Sequence, residues 1–148
     1  MKQQLTCLLL LTCFFQLQGQ SVFGKWITYD IFDSSVKEAV VDIYEMDGKL
    51  FIRIDSIIPE EHQLDRCQRC QDELKDKPIL GMEILKGAWL KDGIWQGAKI
   101  LNAKNGRRYG FQIWPTTGNK LKVRGFIGYP LFGKNLYWTR LKKRAHPH

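Results

Sequence analysis

Ala39-Val40-Val41-Asp42-Ile43-Tyr44, then Asp47-Gly48, then Leu50-Phe51-Ile52-Arg53-Ile54 is the stretch on which the fold turns. Apolar and polar residues alternate with a period of two on both sides of an Asp-Gly pair, which readily takes the positive φ angles of a tight primed turn. The reading is a β-hairpin. Val41 and Ile43 share a face that can meet Leu50, Ile52 and Ile54, while Asp42, Arg53 and Asp55 point to water.

The same grammar extends outward. Asp92-Gly93 separates the segments around Ile84-Leu85 and Trp95–Ile100, Asn105-Gly106 precedes Tyr109–Ile113, and Gly118-Asn119 precedes Leu121-Lys122-Val123. With a first strand at Gly24–Tyr29 and a last at Leu136–Leu141, at least eight short strands are expected. Such a meander favours a closed all-β barrel of about eight antiparallel strands, because closure removes exposed edges. Gly97, Gly110 and Gly125 inside strand patterns read as bulges or bends. Pro59 to Pro78 is a long polar loop with room for a helical turn or two. The tail from Lys142 to His148 reads as a solvated end.

Residues 1–21 read as a secretory signal: Lys2, an apolar run from Leu5 to Phe15, then small and polar residues. Gln16, Gln18 and Gln20 close the run before a membrane span is complete. Cleavage after Ser21 suits the small-residue rule better than cleavage after Gly19, and the residues before Cys13 fit lipid modification poorly. The expected product is one domain over residues 22–148, periplasmic or secreted. Loss of Lys2 leaves 22 of the 23 basic residues against 15 acidic ones, a net of about +7. A core of this size needs no metal or cofactor to hold it.

Cys7 and Cys13 leave with the signal, which strands Cys67 and Cys70 in an oxidising compartment, where a disulfide is the default. Closing so short a loop contributes about 2 kcal/mol in the chain-entropy model. Two other readings stay open. Arg66 and Arg69 supply the charge that a redox centre wants, but no βαβ unit accompanies it. Zinc would need His62, or His146 and His148 from the tail, to complete four ligands.

Gly24-Lys25-Trp26 opens the first strand and Trp138-Thr139-Arg140 closes the last. This resembles the lipocalin and fatty-acid-binding barrels, whose Gly-x-Trp indole packs across the barrel floor beneath an arginine from near the chain end. The resemblance implies that Gly24, Trp26 and Arg140 close the barrel, through a cation over an aromatic face. A more specific resemblance, over essentially the whole mature chain, is to the exported bacterial proteins of domain-of-unknown-function family 2147. It rests on Gly24-Lys25-Trp26, Asp47-Gly48-Lys49, Cys67-x-x-Cys70, Pro78-Ile79-Leu80-Gly81 and Trp95-x-Gly97. It continues through Tyr109, the block Leu121 to Gly128, Gly133 and Trp138-Thr139-Arg140. Where the family usually shows Asp-Pro this chain has Asn102-Ala103. The resemblance implies an exported β domain with no assigned activity.

Catalytic chemistry has little to stand on. A Ser-His or Cys-His pair would rest on His62, and Glu60-Glu61 and Asp72-Glu73 are explained by a solvated face. The nine aromatics Trp89, Trp95, Tyr109, Phe111, Trp114, Phe126, Tyr129, Tyr137 and Trp138 are expected to be mostly core. Lys120, Lys122 and Arg124 form a basic stripe on an outer face, read first as a plain solubilising surface; as a binding face it would suit anionic envelope components better than nucleic acid in an exported chain. The leading expectation is a monomeric, non-enzymatic barrel binding a small apolar or amphipathic ligand. An envelope interaction module with a filled barrel is the alternative, and a thiol-disulfide redox protein the third.

Overall fold

The computed structural model describes residues 21–115 and 118–143. The segment expected to be a leader, with Cys7 and Cys13, and the two tail histidines lie outside these residues. Nine antiparallel strands follow in chain order: β1 (Gly24–Tyr29), β2 (Lys37–Met46), β3 (Lys49–Ile57), β4 (Glu83–Lys91), β5 (Ile94–Gln96), β6 (Lys99–Asn102), β7 (Arg107–Trp114), β8 (Lys120–Phe126) and β9 (Gly133–Arg140). Each pairs with the next in sequence except β5 with β6, β1 pairs with β9, and β5 pairs with β7 through Trp95 and Ile113. The sheet is therefore closed. Because β5 and β6 both lie along β7, they are two halves of one stave, and the ring has eight.

The break between those halves falls at Gly97, which adopts φ +88°. A Cβ there would sit 2.1 Å from the Trp89 ring, so the missing side chain is the space in which that indole rests. Gly110 and Gly125 differ from the expected bulges: both stay in register, opposite Phe126 and Phe111. The Phe126 ring covers Gly110, where a Cβ would lie 2.2 Å from it.

The deciding hairpin forms as its alternation requires. Val41 faces Ile54 and Ile43 faces Ile52, all four buried, while Asp42 and Arg53 meet on the outer face at 3.0 Å. Asp47 and Gly48 take φ +53° and +74°, and Asp92 and Gly93 repeat the turn at +52° and +75°. The interior is packed with Trp26, Ile43, Leu50, Ile52, Leu85, Ile113, Leu121 and Val123, each 2 % exposed or less. That density of apolar side chains fills a barrel of this strand number. Of the nine aromatics only Trp95, Phe111 and Trp138 are buried; Trp89, Tyr129 and Tyr137 are exposed and the rest intermediate, so most are not core.

An up-and-down ring sends alternate connections to opposite ends. The tight turns at Asp47-Gly48 and Asp92-Gly93 and the β7–β8 connection lie at one end with the start of β1. The β1–β2 loop, the long β3–β4 loop, the β6–β7 turn and the β8–β9 turn share the other. The β3–β4 loop has order of its own, with two 3₁₀ turns at Glu60–His62 and Asp72–Leu74 and a β-bridge from Arg66 to Pro78. Among the described residues no helix is long and apolar enough to cross a membrane.

Candidate functional site

At the floor, Trp26 and Arg140 are register partners on β1 and β9. The Arg140 guanidinium lies 4.1 Å from the centre of the Trp26 ring and donates to the Phe23 and Ser21 carbonyls at 3.1 and 2.6 Å. The Trp26 Nε1–H donates to the Val22 carbonyl at 2.8 Å, and Gly24 leaves room for the arginine, since a Cβ there would stand 3.2 Å from Nη1. A cation over an indole, with its N–H groups donating to two carbonyls just before the first strand, joins the first strand to the last. The floor thus ties the two ends of the ring together.

The loop-bearing end is different. Cys67 and Cys70 are joined in a disulfide, with Cα atoms 5.2 Å apart, and both are buried. The flanking chain is stitched by bonds from the Cys67 N–H to the Lys77 carbonyl and from the Asp76 N–H to the Cys67 carbonyl. The sulfur of Cys67 stands 3.3 Å from the Ala103 carbonyl, a packing contact since a disulfide sulfur carries no proton. The loop thus rests on the β6–β7 turn. Gly106 permits this: it takes φ +71°, and a Cβ there would lie 1.9 Å from the Arg69 carbonyl oxygen. Asn102 accepts from the Lys104 N–H with its side chain and from the Gly106 N–H with its carbonyl. Asparagine supplies the oxygen this turn needs, without the charge.

Between the loop and this corner lies a cleft of ≈ 560 Å³. Leu74, Leu101, Tyr109 and Ile127 give it apolar surface, Arg107 and Arg108 give it cationic surface, and Asp72 adds one carboxylate. A second, more open groove of ≈ 440 Å³ runs along the other side of the loop, beside Arg53, Met82, Glu83 and Lys86. Here the Tyr44 hydroxyl donates to Glu83, while Arg53 lies over the Tyr44 ring. That hydrogen bond, with help from Lys86, holds the Glu83 carboxyl below the usual range, and burial, followed by the same bond, raises the Tyr44 hydroxyl. Both shifts run away from neutral pH, so the pair there is a protonated hydroxyl donating to an ionised carboxylate.

Across the mouth, Lys104 of the β6–β7 turn contacts Glu38 at the start of β2 and lies 3.9 Å from Asp30 after β1. These corners stand on opposite sides of an eight-stave ring, so one side chain bridges the opening. The residues considered for other chemistry are scattered. His62 is exposed and pairs with Asp65 at 2.9 Å, and no three His, Cys, Asp or Glu side chains among the described residues are grouped to hold a metal. Lys122 lies over Trp114 and Lys120 over Tyr137 on the outer face, whereas Arg124 turns to the Pro130 and Leu131 carbonyls and to Asn135.

Two features escaped the reading by motif. The Lys104 bridge has no local signal, because its partners are far apart in sequence. The other could be counted: all 15 acidic residues lie at or before Asp92, and 12 of the 23 basic ones lie after it. The wall from β5 to β9 therefore carries no acidic side chain.

Comparison with known proteins agrees with this architecture. A solved structure described as protein HP1028 from the human pathogen Helicobacter pylori, of the lipocalin family, superposes with a TM-score of 0.71 at 18% identity, covering 82% of this chain and 84% of that one. At that identity the likeness establishes the fold, a lipocalin-like barrel. No curated protein sequence matches the chain. The family model described as uncharacterized protein conserved in bacteria (DUF2147) matches residues 24–140, and the chain belongs to that family.

Proposed function

We propose that the chain is an exported, non-enzymatic barrel that binds a small amphipathic molecule at its loop-bearing end, in the periplasm or outside the cell. The observation that carries this reading is the cleft between the disulfide loop and the β6–β7 corner. Its volume, ≈ 560 Å³, is in the range of small-molecule sites. Leu74, Leu101 and Ile127 suit an alkyl or ring portion, and Arg107 and Arg108 suit an anionic head. The packed interior supports a site at the mouth over one deep in the barrel. Export is supported by the leader-like residues 1–21 and by a paired Cys67 and Cys70, which suits an oxidising compartment. A redox role has weaker support, since both cysteines are buried.

Native mass spectrometry on protein purified gently from an envelope fraction tests the reading, followed by titration with an anionic amphiphile such as a long-chain fatty acid. A stoichiometric bound mass, or saturable binding that Y109A/R108Q weakens about tenfold, supports it. An apo mass together with no saturable binding would refute it. The filled interior favours, as second reading, an interaction module acting through its surface, and a partner retained on an apo barrel would support that instead.

A further inference from the structure

Among the described residues, the β8–β9 turn is the segment with the most exposed apolar side chains. From Gly125 to Gly133 no residue carries a charge, and Ile127, Tyr129, Leu131 and Phe132 are 70, 73, 81 and 69 % exposed. Single exposed apolar residues are ordinary; four on one turn are not. Nor is the turn simply loose. Arg124 holds the Pro130 and Leu131 carbonyls from beneath, and the Phe132 N–H closes back on the Tyr129 carbonyl, so the apolar side chains are propped outward.

A fifth side chain joins them from the neighbouring β1–β2 loop. The Asp30 carboxylate accepts the N–H groups of Phe32 and Asp33, and this local turn presents Phe32 at 88 % exposure. Lys134, at the start of β9, lies over the Phe32 ring and donates to the Ile31 carbonyl, which ties the two loops into one tip. On the other flank, Arg107 and Arg108 open β7 beside the end of β8 and are exposed. The β8–β9 part of the tip thus stands between cations on the wall of the barrel that has no acidic residue, while Phe32 comes from a loop whose Asp30 and Asp33 are engaged in its own turn.

Apolar and aromatic side chains at a tip, flanked by lysine and arginine, match the two layers of an anionic lipid surface. We propose that the β8–β9 turn and Phe32 dock this end of the barrel on the surface of an anionic phospholipid bilayer, with Leu131 and Phe132 entering the boundary and Arg107, Arg108 and Lys134 meeting the headgroups. The inference goes beyond ligand binding and does not depend on it. It sets the mouth of the cleft against the layer in which amphiphiles reside.

The test is sedimentation with phosphatidylcholine vesicles, with and without phosphatidylglycerol. The protein is expressed as the full chain, and only the processed species, checked by intact mass, is used, because a retained leader would itself insert. Binding is expected to need the anionic lipid, to weaken about tenfold as salt screens it, and to fall at least about tenfold in L131S/F132S. Neither substituted residue lines the cleft, so amphiphile binding should survive in this variant. Should the variant not fold, hydrogen exchange of the unaltered protein on vesicles decides the matter, with protection expected at residues 127–134 and 31–33. No sedimentation with anionic vesicles, undiminished binding by a folded L131S/F132S, protection elsewhere, or capture by RNA or by a protein in place of lipid would each overturn the proposal.

Discussion

Replacing Gly106 by alanine asks whether the disulfide loop is seated on the barrel or merely near it. Two costs are expected. The first is conformational: at φ +71° an L residue is strained by about 1 kcal/mol. The second is steric and specific to this place. The new Cβ would lie 1.9 Å from the Arg69 carbonyl oxygen and 2.9 Å from the Cys70 nitrogen, both backbone atoms. The loop must withdraw by roughly 1.5 Å to restore ordinary contact, and strain of this kind costs about 1–3 kcal/mol. Gly48 supplies the control, since it has φ +74° and nothing within 4 Å of an added Cβ. In urea titration G48A should lose about 1 kcal/mol and G106A about 2–4, or a fall in Tm of roughly 4 °C against roughly 8–16 °C. Limited trypsin digestion should cut G106A faster at Arg66, Arg69 and Lys75, with G48A unaffected there. If the two variants unfold together and digest alike, the loop does not bear on the turn, and the cleft between them loses its wall.

Removing the floor arginine should cost about 2 kcal/mol in R140A by denaturant titration, and R140K should recover less than half, because an ammonium cannot lie flat on the Trp26 ring while serving two carbonyls. The double variant C67S/C70S should lose about 2 kcal/mol and gain protease cuts in residues 59–78 while keeping its β circular dichroism; unchanged digestion would count against the staple. Acid should destabilise the fold through Asp30, held low chiefly by the Phe32 and Asp33 N–H groups, and Glu83, held low chiefly by Tyr44. A depressed carboxylate stabilises above its unfolded value, and that contribution disappears as pH falls through the folded one, so midpoints should be flat near neutrality and drop below about pH 4. Y44F should make the acid slope shallower, which a pH series of urea midpoints measures.

Where strand period and turn chemistry agree, little remains for tertiary structure to decide. The β2–β3 hairpin is such a place: alternation sets which of Val41, Asp42 and Ile43 faces inward, and Asp47-Gly48 sets the register. Aromatics are harder to place. Their size argues for burial, but Trp89 and Tyr137 sit on outward positions of their strands, and parity overrides size. The glycines divide for a similar reason. Gly97 breaks a stave, whereas Gly110 is an ordinary strand position whose missing side chain is replaced by the Phe126 ring across the ladder. The candidate site was the least legible part. Cys67 and Cys70 announce a cross-link, yet nothing local says that it will be pressed against Ala103 and Gly106, or that Lys104 will reach Glu38. Those contacts exist only once the ring has closed and brought distant corners together.

The floor has a bearing on how the molecule can be handled. Arg140 grips the Ser21 and Phe23 carbonyls and the Leu141 N–H bonds to Lys25, so the described chain enters and leaves at one pole, opposite the four loops. The protein is a cup with its stem at the base. An affinity tag, a fluorophore or a solid support attached at either end holds it by the stem with the rim facing outward. A short linker joining the two ends would equally allow the chain to be cut open at a base hairpin such as Asp47-Gly48 without disturbing the rim.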